Sequence, residues 1–130
     1  MRKRRETRDN NLAKLAWAVV HGRAPPRYES LVKAVTELRA FFPNKPDSWV
    51  YRAVYRCLLG VKRVGEKHWL VRGSKKLRDA YPYYNVWLRE GRYHCDCHYR
   101  AWGRKRRKDV CTHVAAVILH RRQKMISEYV

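Results

Sequence analysis

Acidic side chains are scarce. Eleven Asp and Glu face 31 Lys and Arg across 130 residues, which leaves a net charge of +20. The acids are also scattered: no pair is placed to hold a catalytic Mg²⁺, there is no glycine-rich phosphate loop, and no nucleophile stands beside a base. That pattern argues against an enzyme and against a small-molecule substrate. No apolar run exceeds six residues, as in Val114 to Leu119, far short of the ~20 that a membrane span requires. The N-terminus is a poor secretory signal, because Lys14 interrupts the apolar stretch and Glu6, Asp9, Asn10 and Asn11 stand where it would begin. Cysteine is limited to Cys57, Cys95, Cys97 and Cys111. Cys95 and Cys97 are too close in sequence to form a mutual disulfide, so a metal site in a reducing, intracellular compartment is expected.

What is present is charge and apolar matter together. Hydrophobic residues make up 45% and aromatics 12% of the chain, too much for a disordered basic tail. A compact state with this self-repulsion needs a polyanion nearby, and nucleic acid comes ahead of an acidic membrane surface as the partner. The single glutamine and the 20 arginines against 11 lysines suggest a thermophilic archaeon or its virus.

The hydrophobic periodicity implies an α+β chain. Residues 1–9, with five basic side chains, are expected to be a flexible arm. Residues 10–60 read as a three-helix unit. Leu12, Leu15, Ala16 and Val19 mark the first helix, which ends at Gly22. Leu31, Val35, Leu38 and Phe42 mark the second, over about Arg27 to Phe41. Val50, Val54, Cys57 and Leu58 mark the third, which is capped by Asp47 or Ser48 and stopped by Gly60. After Gly60 the period falls to about 2. A hairpin spans Val61 to Arg72, a basic connector spans Gly73 to Asp79, and a second hairpin turns at Glu90-Gly91 and returns over Arg92 to Cys97. A loop over 98–109 precedes a last helix with Asp109 as its cap and Val110, Val114, Val117 and Ile118 on its inner stripe. Cys57 reads as a plain core residue.

Cys95-Asp96-Cys97, thirteen further residues, and Cys111-Thr112-His113 form a C-x-C…C-x-H pattern. Three thiolates and an imidazole complete a tetrahedral shell for one Zn²⁺ and leave no open position, so the ion is structural. On a strand, Cys95 and Cys97 would present both sulfurs on one face. Cys111 and His113 would converge at a helix start, where the helix dipole favours thiolate. A module of this size buries only ~60% of its unfolded surface and is marginal alone, so the metal should be needed for folding.

The same signature, with the strand Tyr84 to Leu88 before it and the helix Val114 to Leu119 after it, resembles a SWIM-type zinc finger over roughly residues 66–122. The resemblance implies a β hairpin and helix around one zinc within 61–130, with Cys95, Cys97, Cys111 and His113 as ligands. It also implies a role in DNA transactions such as chromatin remodelling, transposition or recombination. A departure is His98, where the family often has proline; His98 and His94 become candidate ligands or phosphate-facing groups, with the latter role favoured. His120 reads as packing or surface.

The expected function is non-enzymatic nucleic-acid binding, with DNA favoured over RNA, in transcription regulation, genome organisation or recombination. The location would be the cytoplasm and nucleoid, or the nucleus in a eukaryote. Candidate contacts are Arg2, Lys3, Arg4 and Arg5 in the arm, and Arg100, Trp102, Arg104, Lys105, Arg106, Arg107 and Lys108 in the loop. Guanidinium groups suit phosphate and guanine edges, and an indole can stack or insert. The second and third helices can also form a helix-turn-helix with the hairpin 61–72 as a wing, placing Arg52, Tyr55 and Arg56 on a reading face. Two alternatives remain: an adaptor that docks a protein partner in a recombination complex, and an RNA- or ribosome-binding factor.

Overall fold

Apolar side chains at helical spacing along the first 60 residues give three helices, α1 (Arg2–Val20), α2 (Glu29–Phe41) and α3 (Asp47–Leu59). The computed structural model describes residues 2–99 and 110–128, with side chains described over 10–98 and 110–128. α1 begins ten residues before Leu12, the first residue of its apolar stripe, so the backbone of the basic segment expected as an arm is helical. Arg, Lys and Glu are strong helix formers and extend a helix that Leu12 to Val20 have already nucleated. The stop is a Schellman motif: Gly22 adopts φ 70°, its N–H reaches Val19 O at 3.1 Å, and Arg23 N–H reaches Ala18 O at 2.7 Å. A 3₁₀ turn (Pro26–Tyr28) leads into α2. α3 is preceded by Pro46, with no side-chain cap; Asp47 instead binds Arg39 at 2.8 Å. Gly60, at φ 151°, ends it.

The next strands are β1 (Val61–Gly65), β2 (His68–Arg72), β3 (Tyr83–Arg89) and β4 (Arg92–Cys95). They form one antiparallel sheet in the order β1-β2-β3-β4. The hairpin 61–72 is therefore part of a larger sheet: β2 pairs with β3 along the whole of its length. α4 (Thr112–Glu128) closes the chain; the expected cap, Asp109, lies outside the described residues.

α4 sits between the sheet and the other helices. Val114 and Val117 pack with Trp69, Val71, Tyr84 and Val86 on one face of the sheet. Ala115, Ala116 and Leu119 pack with Ala16, Leu31, Leu38 and Val54 from α1 to α3. The two apolar clusters thus share one helix, and a division at residue 60 does not separate two independent cores. Cys57 lies in the helical cluster, 8% exposed, and burial pushes its thiol up to about 12. Among the described residues, no helix is long and apolar enough to cross a membrane.

Candidate metal centre

β4 ends at Cys95 because its ladder ends there. The Asn85 N–H, the next donor along β3, is taken at 2.7 Å by the Asp96 carboxylate, which also accepts from Asn85 Nδ2 at 2.8 Å. The chain then curls into a 3₁₀ turn (Asp96–Tyr99). Cys97 therefore belongs to a turn and not, as its spacing suggested, to the strand; the curl brings its sulfur back toward that of Cys95. Cys111 immediately precedes α4, and its sulfur accepts the Val114 N–H at 3.4 Å, in the manner of an N-cap. His113 follows in the first turn.

Cys95, Cys97, Cys111 and His113 come together with their ligand atoms within 4.8 Å of one another, and they can hold one metal ion. A tetrahedral shell with bonds of about 2.0–2.3 Å places its donors about 3.3–3.8 Å apart, so a small contraction closes the cluster. The imidazole orientation fits the same role. His113 Nδ1 is buried without a hydrogen-bond partner, while Nε2 pairs with Asp79 Oδ1 at 3.2 Å. One nitrogen is left for the ion, and the other is held by a carboxylate that fixes its tautomer and raises its basicity. The Tyr84 ring stacks on the imidazole with centroids 4.1 Å apart.

The electrostatics of the cluster's own side chains follow from this crowding. Hydrogen bonds from Cys95 and Cys97 hold Cys111 toward thiolate, and the bond with Cys111 holds Cys95 toward thiol. Burial alone would lower His113, but Asp79 and the neighbouring sulfurs raise it to about 10. Burial alone would raise Asp79, yet hydrogen bonds from His113 and Arg56, the Arg56 charge and the Ser74 N–H hold it well below the ordinary carboxylate range. Holding a metal ion would require Cys95, Cys97, Cys111 and His113 to give up these protons.

Behind His113 stands a layer that sequence reasoning did not find. Asp79, its side chain 6% exposed, receives both Nη atoms of Arg56, with Nη2 to Oδ1 at 3.1 Å. Arg56 Nε also donates to Thr112 Oγ1 at 2.9 Å, and Trp49 Nε1 donates to Val110 O at 3.2 Å. α3 thereby clamps the start of the helix that carries Cys111 and His113. The expected reading face on α3 is overturned: Arg56 is 1% exposed and Tyr55 is fully buried, because α1, α4 and the 73–79 segment cover that helix. Arg52 Nη2 donates to Leu77 O at 3.0 Å. One signal for Asp79 was present, since it is the only acid in the basic connector 73–79.

That connector is folded tightly enough to aim Asp79. Ser74 N–H donates to Asp79 Oδ2 at 2.8 Å, Asp79 N–H returns to Ser74 O at 2.9 Å, and Leu77 is buried. Gly73 allows the fold, because a Cβ at this position would collide with the Tyr81 carbonyl. Gly73→Ala is expected to lower stability by at least the ~1–3 kcal/mol of ordinary overpacking, since backbone cannot rotate away. Thermal unfolding of the metal-loaded variant checks it.

His98 is also buried, at 7% exposure, which corrects its expected phosphate-facing role. Its Nδ1 accepts the Cys95 N–H at 3.3 Å, and its buried Nε2 has no hydrogen-bond partner. His94 stacks on Trp87, and His120 is half-buried. The side chains of Arg2, Lys3, Arg4 and Arg5, and residues Arg100, Trp102, Arg104, Lys105, Arg106, Arg107 and Lys108, lie outside the described residues.

Fold and site together define an α+β protein with a largely buried cluster of three cysteines and one histidine that could hold one metal ion. No family model matches the chain, and no curated protein or solved structure matches it.

Proposed function

We propose that the chain is a non-enzymatic, zinc-dependent nucleic-acid-binding protein of SWIM type, acting on DNA in preference to RNA within the cell. Zinc is favoured by the donor set, since soft thiolates with one imidazole in a closed four-ligand cluster suit a structural Zn²⁺. The SWIM reading is supported by the β3–β4 hairpin that delivers Cys95 and Cys97 and by the helix that opens on Cys111 and His113. The observation that carries the binding reading is the charge of +20 on 130 residues. The sheet and its connector contribute to it: Lys62, Arg63, Arg72, Lys75, Arg89 and Arg92 are all exposed.

Binding of this kind is dominated by counterion release. With about 6–10 phosphates contacted, affinity is expected to fall by roughly 10³–10⁵ between about 50 and 200 mM salt. The test is a titration of the metal-loaded chain with duplex DNA and structured RNA at matched salt, alongside elemental analysis of the same sample. A flat salt response, or capture of one protein partner with no nucleic-acid binding, sinks the reading in favour of an adaptor.

A further inference from the structure

One face of the sheet lies against α4, and the opposite face carries a different set of side chains. Directly opposed residues of an antiparallel ladder share a face. The registers Arg72↔Tyr83, Trp87↔His94 and Arg89↔Arg92 therefore place these six side chains away from the buried Val71, Val86 and Cys95. Rings form a row here. Tyr83 and Trp87 stand on β3 about 13 Å apart, and His94 stacks on Trp87 with centroids 5.7 Å apart and planes 18° from parallel. Tyr83 is 55% exposed, and Trp87 and His94 are half-buried.

Cations frame the row. Arg72 lies beside Tyr83 at one end, and Arg89 faces Arg92 at the other. Like charges directly opposed destabilise a sheet. Glu90, in the intervening turn, lines the same recess as Arg89, Arg92 and His94 and offsets one charge of the pair. The nearby Asp96 carboxylate is already engaged by Asn85. A partly exposed aromatic row with surplus positive charge at both ends matches a ligand that is flat and apolar on its faces and anionic along its backbone.

We infer that this face binds an unpaired nucleotide strand, its bases stacking on Tyr83 and on the Trp87–His94 pair and its phosphates meeting Arg72, Arg89 and Arg92. The inference rests on the nucleic-acid reading above and names the form of nucleic acid and the surface. In a duplex the base faces are covered by neighbouring pairs, so a flat ring row cannot use them. An unpaired strand offers base face and phosphate together.

The experiment compares labelled oligothymidine, oligouridine and a duplex of equal length, by anisotropy at matched salt. It uses the full metal-loaded chain and its Tyr83→Ala and Trp87→Phe variants, each checked for retained metal and circular dichroism. Tyr83→Ala is expected to weaken both single-strand probes by about 5- to 150-fold, the range that stacking of one base spans, and to change duplex binding less than twofold. Quenching of tryptophan fluorescence by oligothymidine is expected to shrink in Trp87→Phe. The tighter of the two single strands identifies DNA or RNA as the source. Single-strand affinities unchanged in both variants, or single-strand and duplex binding lowered equally, overturn this inference while the nucleic-acid reading stands. Failure of the wild-type chain to bind any probe overturns both.

Discussion

Chelation of the metal, or Cys111→Ser, is expected to unfold most of the protein and not merely loosen one end. A structural zinc supplies on the order of 10–16 kcal/mol of apparent binding energy, as large as the ~5–15 kcal/mol total stability of an ordinary domain. Position extends the damage. Cys111 caps α4 through its sulfur, and α4 contributes Ala115, Ala116 and Leu119 to the helical cluster as well as Val114 and Val117 to the sheet cluster. When the sulfurs part, both cores lose the same helix. The expected readout is loss of far-ultraviolet helical signal on chelation, with recovery on adding Zn²⁺ under reducing conditions. Alkylation supplies a second one. The Cys57 thiol, pushed up to about 12 by burial, stays unreactive near neutral pH in the loaded protein and becomes modified after chelation. Retention of the native spectrum and melting temperature without metal would show that packing alone holds the fold.

Asp79→Asn is expected to weaken metal binding about 10- to 100-fold, the usual effect of losing a carboxylate that orients a histidine ligand. It is also expected to lower stability by about 3–5 kcal/mol, because the Arg56 charge is left buried without its counter-ion. These two effects can be separated. Replacing both partners, Arg56→Met with Asp79→Leu, removes the orphaned charge and should restore much of the stability. It leaves His113 Nε2 without its acceptor, so metal affinity stays low. Competition with a chromophoric chelator measures affinity, and denaturant unfolding measures stability. The pH dependence has a definite sign. Asp79 ionises more readily folded than unfolded, so its contribution is complete above the ordinary aspartate value of about 3.9. It is lost as pH falls through the lower folded value. With the metal bound, so that His113 carries no titrating proton, the stability gap between wild type and Asp79→Asn should therefore be flat through neutral pH and narrow only in strong acid.

The four residues of the candidate metal centre were legible in the chain because cysteine and histidine at close, paired spacings have few other uses. The helices were legible through their 3.6-residue stripes, and the strands through the alternation that begins at Val61. The layer behind the ligands was not. Arg56 reads as a surface cation in any sequence pattern, and it is buried only because Asp79, 23 residues later, returns to meet both of its terminal nitrogens. His98 looked solvated beside so many charges, yet the Asp96–Tyr99 turn folds it inward. The boundary at residue 60 followed a real change of period but missed that α4 serves both sides of it.

Local chemistry along the chain was enough to establish the donor set, the secondary structure and the excess positive charge, since each depends on residue type and short-range spacing. Long-range packing settled which charges are buried, which turn brings Cys97 to Cys95, which helix two cores share and which sheet face is left to carry rings and cations. Those outcomes arise from contacts between residues tens of positions apart, where burial is set by the partner that arrives and not by the residue's own polarity.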